Sequence, residues 1–201
     1  MKKLLSTLTL LGALSGAAYA APYYTAAPAP GALTSYDIQP VYTIEGLYSV
    51  GSDSGDPDMW GFRGSFNLYS DAYESFRHQF NLNIAPQWGS EDIVCPQGLR
   101  SADYFMMPLT AGYDLNIEVK DNIFVYIGGK AGYSWASAES CMGDYDGGGF
   151  TWSIGAGVKV QCSDSVYVKA GYEYGRTHFS QGDLDGVYGA HTFSIGVGCK
   201  F

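Results

Sequence analysis

The sequence is short of charge and of long apolar runs. Charged residues make up 15% of the 201 residues, against about 25% in ordinary soluble domains. No apolar run approaches the roughly 18–20 residues of a membrane-spanning helix. Basic residues number 11 against 20 acidic ones, and the net charge of −9 repels phosphate, so no nucleic-acid partner is expected. Low charge combined with 15% aromatic residues also excludes a disordered chain.

Glycine and tyrosine are abundant instead, with 27 Gly and 17 Tyr. Aromatic residues favour β-strands. With a hydrophobic content of 46% and so few charges, the chain has little material for a surface that is covered entirely by water. The composition therefore favours a sheet-forming protein whose surface does not face water on all sides.

The first 20 residues have the parts of a secretory signal peptide. The positive pair Lys2-Lys3 precedes a short apolar stretch, and the Ala18-Tyr19-Ala20 segment has the small-x-small pattern that a signal peptidase cuts. We therefore expect cleavage between Ala20 and Ala21 and export from a bacterial cytoplasm. Residues 21–37 are rich in Ala and Pro and are predicted to form a periplasmic linker.

From residue 38 to residue 201 the apolar residues recur at every second position, in eight runs. This is the period of a β-strand with one apolar face. When the apolar face of each run is defined by its apolar residues alone, the charged residues of the runs all fall on the opposite faces. They are Glu45, Arg63, Arg77, Asp114, Lys130, Lys159, Lys169, Glu173 and Lys200. A cation that faces hydrocarbon at mid-membrane costs ~2–4 kcal/mol, so lipid outside a barrel would impose this sorting.

The connections between the runs alternate in length. Long connections are predicted at 52–58, 89–103, 136–149 and 177–189, and short turns lie between them. All Trp residues lie at the long-connection ends of their runs, as in an aromatic girdle of a membrane barrel. The sequence therefore predicts an all-β fold: an eight-stranded antiparallel up-and-down transmembrane β-barrel over 38–201. Its long loops are expected to be extracellular and its termini periplasmic.

The runs, the signal peptide and the closing segment HTFSIGVGCKF resemble the small eight-stranded outer-membrane barrels, such as the OmpA barrel domain and the OmpX-like and opacity-type proteins. Phe201, with Phe193, Ile195 and Val197 alternating before it, looks like the C-terminal insertion signal of that family. The resemblance implies a monomer in the bacterial outer membrane. Its expected partners are outer-membrane lipid and lipopolysaccharide, the insertion machinery and periplasmic chaperones.

Four charged residues fall near the middle of their strands on the inward face: Glu45, Arg63, Lys130 and Glu173. Eight strands enclose room for side chains and not for an open solute channel. We therefore expect an ion-paired plug rather than a general porin. The resemblance leaves a second interpretation open, that of a narrow gated pore.

Four Cys in an exported chain indicate two disulfides, with three ways to pair them. Cys95 and Cys141 fall in long connections, whereas Cys162 and Cys199 fall near the short-turn end. A bridge between the two groups would have to cross a hydrocarbon core ~25–30 Å thick, far beyond the reach of a disulfide. The topology therefore predicts the bridges Cys95–Cys141 and Cys162–Cys199.

Neither a cofactor nor a metal site is predicted. The acidic residues of the long connections are interpreted as a solvated surface. The spacing Asp53-x-x-Asp56-x-Asp58 in the first of them does not match the EF-hand pattern.

The segment His178-Phe179-Ser180 resembles the His-x-Ser pair of lipid-A deacylase barrels. Because the eighth run carries no Glu or Asp to complete a triad, catalysis is not predicted. The sequence predicts a non-enzymatic outer-membrane protein with a structural or surface-interaction role, in envelope integrity or in adhesion through its acidic loops. The alternatives are a narrow gated pore and a lipid-modifying enzyme of lipid-A deacylase type.

Overall fold

The computed structural model describes residues 38–53, 55–73, 76–96, 98–141, 143–182 and 186–200. Within these ranges no helix is long and apolar enough to cross a membrane. The predicted signal peptide, its cleavage site at Ala20 and Ala21, the linker and Phe201 all lie outside the described residues.

The described part of the chain folds into nine strands in a single sheet. The strands are β1 (Ile38–Gly51), β2 (Met59–Tyr73), β3 (Phe76–Ile84), β4 (Gln87–Cys95), β5 (Gly98–Lys120), β6 (Ile123–Ser140), β7 (Gly143–Gln161), β8 (Val166–Gly182) and β9 (Gly186–Lys200).

The strand pairings close into a ring. All of them are antiparallel, and β1 pairs with β2 on one side and with β9 on the other. Strands β3 and β4 occupy one position in the ring, since both lie between β2 and β5. The fold is therefore the predicted eight-stranded antiparallel up-and-down barrel, with one of its strand positions filled by two segments.

The division between β3 and β4 lies at Ala85 and Pro86, inside what the sequence predicts as one strand. Proline has no N–H to donate to a neighbouring strand, so it interrupts the ladder. Other backbone groups at the break still pair with the neighbouring strands. The Pro86 oxygen accepts from the Phe62 N–H at 3.2 Å, and the Ala85 N–H donates to the Pro108 oxygen at 3.1 Å. The interruption therefore leaves the ring closed.

The barrel has its apolar face outside and its polar face inside. Large apolar residues on the predicted outward faces are exposed, Ile44 at 72% and Ile195 at 67% among them. The buried side chains are instead mostly polar, and Asn67, Gln79 and Asn116 are nearly inaccessible. This arrangement confirms the predicted alternation and is the reverse of a water-soluble barrel.

Aromatic contacts lie on the outer wall near both ends. At the end of the long connections, the Trp60 and Trp88 rings lie 5.6 Å apart. At the opposite end, the Tyr42 and Phe66 rings lie 5.4 Å apart. Indole and phenol rings prefer the boundary between hydrocarbon and headgroups. The two aromatic girdles expected of a membrane barrel are therefore present.

Three of the four long connections are not the loops that the sequence predicts. Strands β4 and β5, β6 and β7, and β8 and β9 continue as antiparallel hairpins well beyond the aromatic girdle. Gly98, Gly143 and Gly186, the first residues of the returning strands β5, β7 and β9, have positive φ angles. Beyond the membrane both faces of a hairpin meet water, so the alternation that marks a strand in the sequence disappears there. We call this end of the barrel the hairpin end and the other the short-turn end.

Candidate functional site

The four charged residues predicted for the lumen do come together. The Arg63 guanidinium donates to both carboxylate oxygens of Glu173, with Nη1–Oε1 2.8 Å and Nη2–Oε2 2.7 Å. Arg63 Nη1 also lies 3.4 Å from Glu45 Oε2, and the Lys130 ammonium donates to Glu173. All four side chains are buried. Their mutual pairing satisfies charges that would be costly to bury alone.

Further charged residues of the inward face join this cluster, although the sequence does not predict them as its members. Lys169 Nζ lies 3.2 Å from Glu45 Oε1. Lys159 Nζ lies 4.0 Å from Asp114 Oδ2 and donates to Gln79 and Asn116. Lys159 and Lys169 are direct cross-strand neighbours on β7 and β8, a like-charge pair that would be destabilising without nearby carboxylates. That pairing is the signal that could have identified a larger cluster.

An aromatic ring lies close to both lysines. The Lys159 and Lys169 Nζ atoms each lie 4.7 Å from the centre of the Tyr126 ring, within the range of a cation–π interaction. Gly157 and Gly171 provide the space for this ring, since a Cβ at Gly171 would lie 2.0 Å from Tyr126 Oη. We call the ion-paired residues together with Tyr126 the plug.

The glycines on the inward face also make room for the two central carboxylates. A Cβ at Gly155 would lie 2.5 Å from Glu173 Cγ, and one at Gly196 would lie 2.6 Å from Glu45 Cγ. Gly155 is the cross-strand neighbour of Glu173, and Gly196 that of Glu45. Glycine opposite a carboxylate is thus what allows a narrow lumen to hold a full ion-pair network.

The lumen contains a cavity on each side of the plug. One of about 70 Å³, toward the hairpin end, is lined by Arg63, Lys130 and Glu173. The other, of about 170 Å³ at the short-turn end, is lined by Arg77 and Lys159 among others. Among the described residues, none lines both cavities. The plug therefore divides the lumen.

An apolar cap lies above the first cavity at the hairpin end. It consists of Met59, Met106, Tyr188 and Ala190, all buried. The Tyr188 hydroxyl donates to the Pro57 carbonyl oxygen at 3.2 Å. Burial raises the pKa of Tyr188, and the nearby carboxylates of Asp56 and Asp58 raise it further, so the phenol stays neutral at ordinary pH. The cap is a second barrier in series with the plug.

The hairpins beyond the cap are joined by one of the two predicted disulfides. Cys95 at the tip of the β4–β5 hairpin is bonded to Cys141 in the turn of the β6–β7 hairpin, with the two Cα atoms 6.4 Å apart. The prediction that these two cysteines pair is confirmed, and the bridge fixes one hairpin tip against the next.

The second predicted bridge, Cys162–Cys199, is not formed, and both thiols are free. Val166 lies between them: the Cys162 N–H donates to the Val166 oxygen at 2.9 Å, and Val166 is the cross-strand neighbour of Cys199. Two strand spacings amount to about 10 Å, whereas a disulfide needs Cα atoms within about 7 Å. The two cysteines share an end of the barrel but are one strand too far apart.

Carboxylates of the first long connection hold its own backbone. Asp56 Oδ2 accepts hydrogen bonds from the Asp53 N–H at 3.3 Å and the Gly189 N–H at 3.1 Å. Asp58 accepts from the Gly51 N–H at 3.1 Å. Asp56 therefore fixes the loop against β9, and Asp58 fixes it against the end of β1. Within the described ranges, no group of three or more potential metal ligands occurs.

The His-x-Ser pair lies on the extension of β8 beyond the membrane. His178 and Ser180 are both exposed, and neither lines the two cavities described above. Asp183 and Asp185, the acids nearest in the chain, lie outside the described residues.

A closed antiparallel barrel with an apolar outer wall, two aromatic girdles and a charged interior is an outer-membrane barrel. Consistent with this, the model of the outer membrane protein beta-barrel domain family matches residues 6–201. The chain belongs to this family, and the protein is a bacterial outer-membrane protein. Part of the predicted insertion signal lies on the outer wall of β9, where Phe193, Ile195 and Val197 are exposed.

Solved structures of small barrels share this fold. The Neisserial surface protein A superposes with a TM-score of 0.56 at 15% identity, over 82% of this chain and 97% of that one. The attachment invasion locus protein of Yersinia pestis gives a TM-score of 0.52 at 17% identity, over 81% and 99%. Among curated protein sequences, none matches this chain.

Proposed function

We propose that this chain is a non-enzymatic barrel that acts through its outer surface, in envelope integrity and in adhesion by its acidic hairpins. The observation that carries the proposal is the contrast between lumen and hairpins. The lumen is blocked twice, by the plug and by the apolar cap, so it offers solutes no open path. The hairpins, in contrast, extend beyond the girdle, and a disulfide fixes the β4–β5 hairpin to the β6–β7 hairpin.

The proposed orientation has the hairpins outside the cell and both chain termini in the periplasm. Long connections at one end and short turns at the other support it. The wall would contact outer-membrane lipid and lipopolysaccharide, after delivery by periplasmic chaperones and the insertion machinery. A monomer is expected, because the β1–β9 pairing closes the barrel wall and leaves no edge there to which a second copy could add a strand.

The test compares bacteria that carry the intact protein with bacteria that carry a version with shortened hairpins. The β4–β5 and β6–β7 hairpins are trimmed together, since the disulfide joins them, and the short turn at 162–165 is altered in a control. We expect trimming to reduce attachment to host-cell matrix or to increase sensitivity to detergents, and the control to do neither. Unchanged behaviour of the trimmed strain in both assays would refute the proposal.

A narrow gated pore is the second candidate, and the pair of cavities favours it. Because open space lies on both sides of the plug, displacement of a few side chains would join the two cavities. Planar-bilayer recordings separate the candidates. A surface protein gives no large steady conductance, whereas a gated pore gives brief openings that become frequent in Arg63→Ala. A steady current of porin size from the wild type would contradict both.

A further inference from the structure

The most exposed large apolar residue among those described is not on the membrane wall. It is Val94, exposed at 85%, and its cross-strand neighbour Leu99 is exposed at 71%. The two residues form the last apolar pair of the β4–β5 hairpin, directly beside the disulfide-bonded Cys95. We call this pair the apolar tip.

Lipid cannot cover the apolar tip. Val94 lies six residues beyond Trp88 of the girdle, about 20 Å along an extended strand, which exceeds the roughly 7 Å of the interfacial layer even when the strand is tilted. The two intervening pairs, Ser90 with Asp103 and Asp92 with Ser101, place a carboxylate each on the same face. The tip is therefore an isolated apolar surface in water.

Four residues from Leu99 along β5, toward the barrel wall, begins a row of three carboxylates. Asp103 on β5 is the cross-strand neighbour of Glu139 on β6, and Glu139 is that of Asp144 on β7. All three side chains are exposed on the outward side. Like charges directly opposite each other destabilise a sheet, so this row, which we call the acid row, is stabilised by anything that brings positive charge to it.

We infer that the apolar tip and the acid row form one docking surface for a protein segment in which an apolar side chain is flanked by Lys or Arg. The apolar group would cover Val94 and Leu99, and the cations would pair with the acid row about 13 Å away along the strand. Charge complementarity favours such a basic segment over a second copy of this acidic chain and over anionic lipid. The disulfide holds the surface in one conformation, which lowers the entropy lost on binding.

This inference deepens the proposed function, because it names the part of the hairpins that makes contact and the chemistry of the partner. The test is a selection from a random peptide library, against the full chain in phospholipid nanodiscs, after removal of peptides that bind empty nanodiscs. We expect enrichment of peptides with apolar residues flanked by Lys or Arg. The Val94→Ser/Leu99→Ser variant should bind them at least about tenfold more weakly, since two apolar side chains lose their burial.

Two further variants make the outcome specific. Asp103→Asn/Glu139→Gln/Asp144→Asn should remove the preference for basic peptides, and Val119→Ser, an exposed apolar position at the short-turn end, should change nothing. The inference fails if no peptides are enriched, if they lack basic or apolar residues, or if Val94→Ser/Leu99→Ser binds them as tightly. If light scattering showed dimers that depend on Val94, the occupant would be a second copy of this chain, and the inference would be wrong. Because the selection needs no cells, its failure is distinguishable from failure of the attachment assay.

Discussion

The two ends of the barrel each contain a pair of cysteines, and only one pair is bonded. At the hairpin end, Cys95 and Cys141 lie in neighbouring hairpins whose tips meet. At the short-turn end, Cys162 and Cys199 are separated by β8. The difference teaches that location at the same end of a barrel is not enough for a bridge. The tips of neighbouring hairpins can approach each other, whereas positions two strands apart in a ladder are held at a fixed distance.

The two ends also differ in charge. The hairpin end carries the acid row and the Asp residues of the first loop, whereas the cavity at the short-turn end is lined by Arg77, Lys159 and Lys200 with Asp164. The plug lies between these two regions. Disruption of the plug is therefore expected to reduce stability most, and changes at either end of the barrel should reduce it less.

The largest effect is expected for Glu173→Gln. It leaves Arg63 and Lys130 buried with one anion fewer, and breaking a buried pair from one side costs about 3–5 kcal/mol. Urea titration of the protein in lipid vesicles, followed by the gel shift between folded and boiled protein, measures the loss. Glu139→Gln, an exposed carboxylate of the acid row, serves as the control and should be close to neutral. Equal unfolding midpoints for the two variants would mean that the ion pairs do not stabilise the plug.

The second-largest effect is expected from removal of the bonded cysteine pair, and removal of the unbonded pair is the comparison. Cys95→Ala/Cys141→Ala removes a bridge with a sequence separation of 46, for which chain entropy gives an upper figure of about 4 kcal/mol. Cys162→Ala/Cys199→Ala should leave stability unchanged. Protease digestion of the hairpins and urea titration would detect the difference. If the second variant were the less stable one, the assignment of the two pairs would be reversed.

A third prediction uses the free thiol of Cys162 to determine orientation. This side chain is exposed in the turn after β7, so a maleimide carried on a large polyethylene glycol chain should reach it only from the periplasm. The assay uses Cys199→Ala, because Cys199 is also a free thiol and is partly exposed. In this background intact cells should show no labelling, and cells with a permeabilised outer membrane should show labelling that a further Cys162→Ser change abolishes. Labelling of intact cells would reverse the proposed topology.

The smallest effect is expected at the His-x-Ser pair of the hairpin end. Ser180→Ala should leave the acylation pattern of lipopolysaccharide unchanged, as mass spectrometry of extracted lipid would reveal. Loss of an acyl-trimming activity in this variant would make the chain an enzyme.

The barrel wall could be predicted because lipid imposes a strict rule on it. Each outward position must be apolar, so Ile44 and Ile195 mark their strands in the sequence. The inward position of Arg63 and Glu173 followed from the same alternation. The alternation also predicted that they belong to an ion-paired plug. It did not predict which cation pairs with which carboxylate, because partners such as Lys130 and Glu173 are not on neighbouring strands.

The regions that escaped prediction are those where this rule is absent. The hairpins meet water on both faces, so residues 89–103 lack the alternation of a strand and were expected to form a loop. The division of the third strand depends on Pro86. The alternation of apolar residues continues across this proline and so does not indicate a break. The unbonded state of Cys162 and Cys199 depends on register, which the spacing of cysteines along the chain does not report.

The Cys95–Cys141 bridge also constrains how the chain can be assembled. The segment between these two residues contains all of β5 and all of β6. Once the two cysteines are oxidised, this segment is a covalently closed loop that contains two strands of the barrel wall. Such a loop cannot be threaded one strand at a time, so a chain oxidised before insertion must place both strands in the membrane as a single unit.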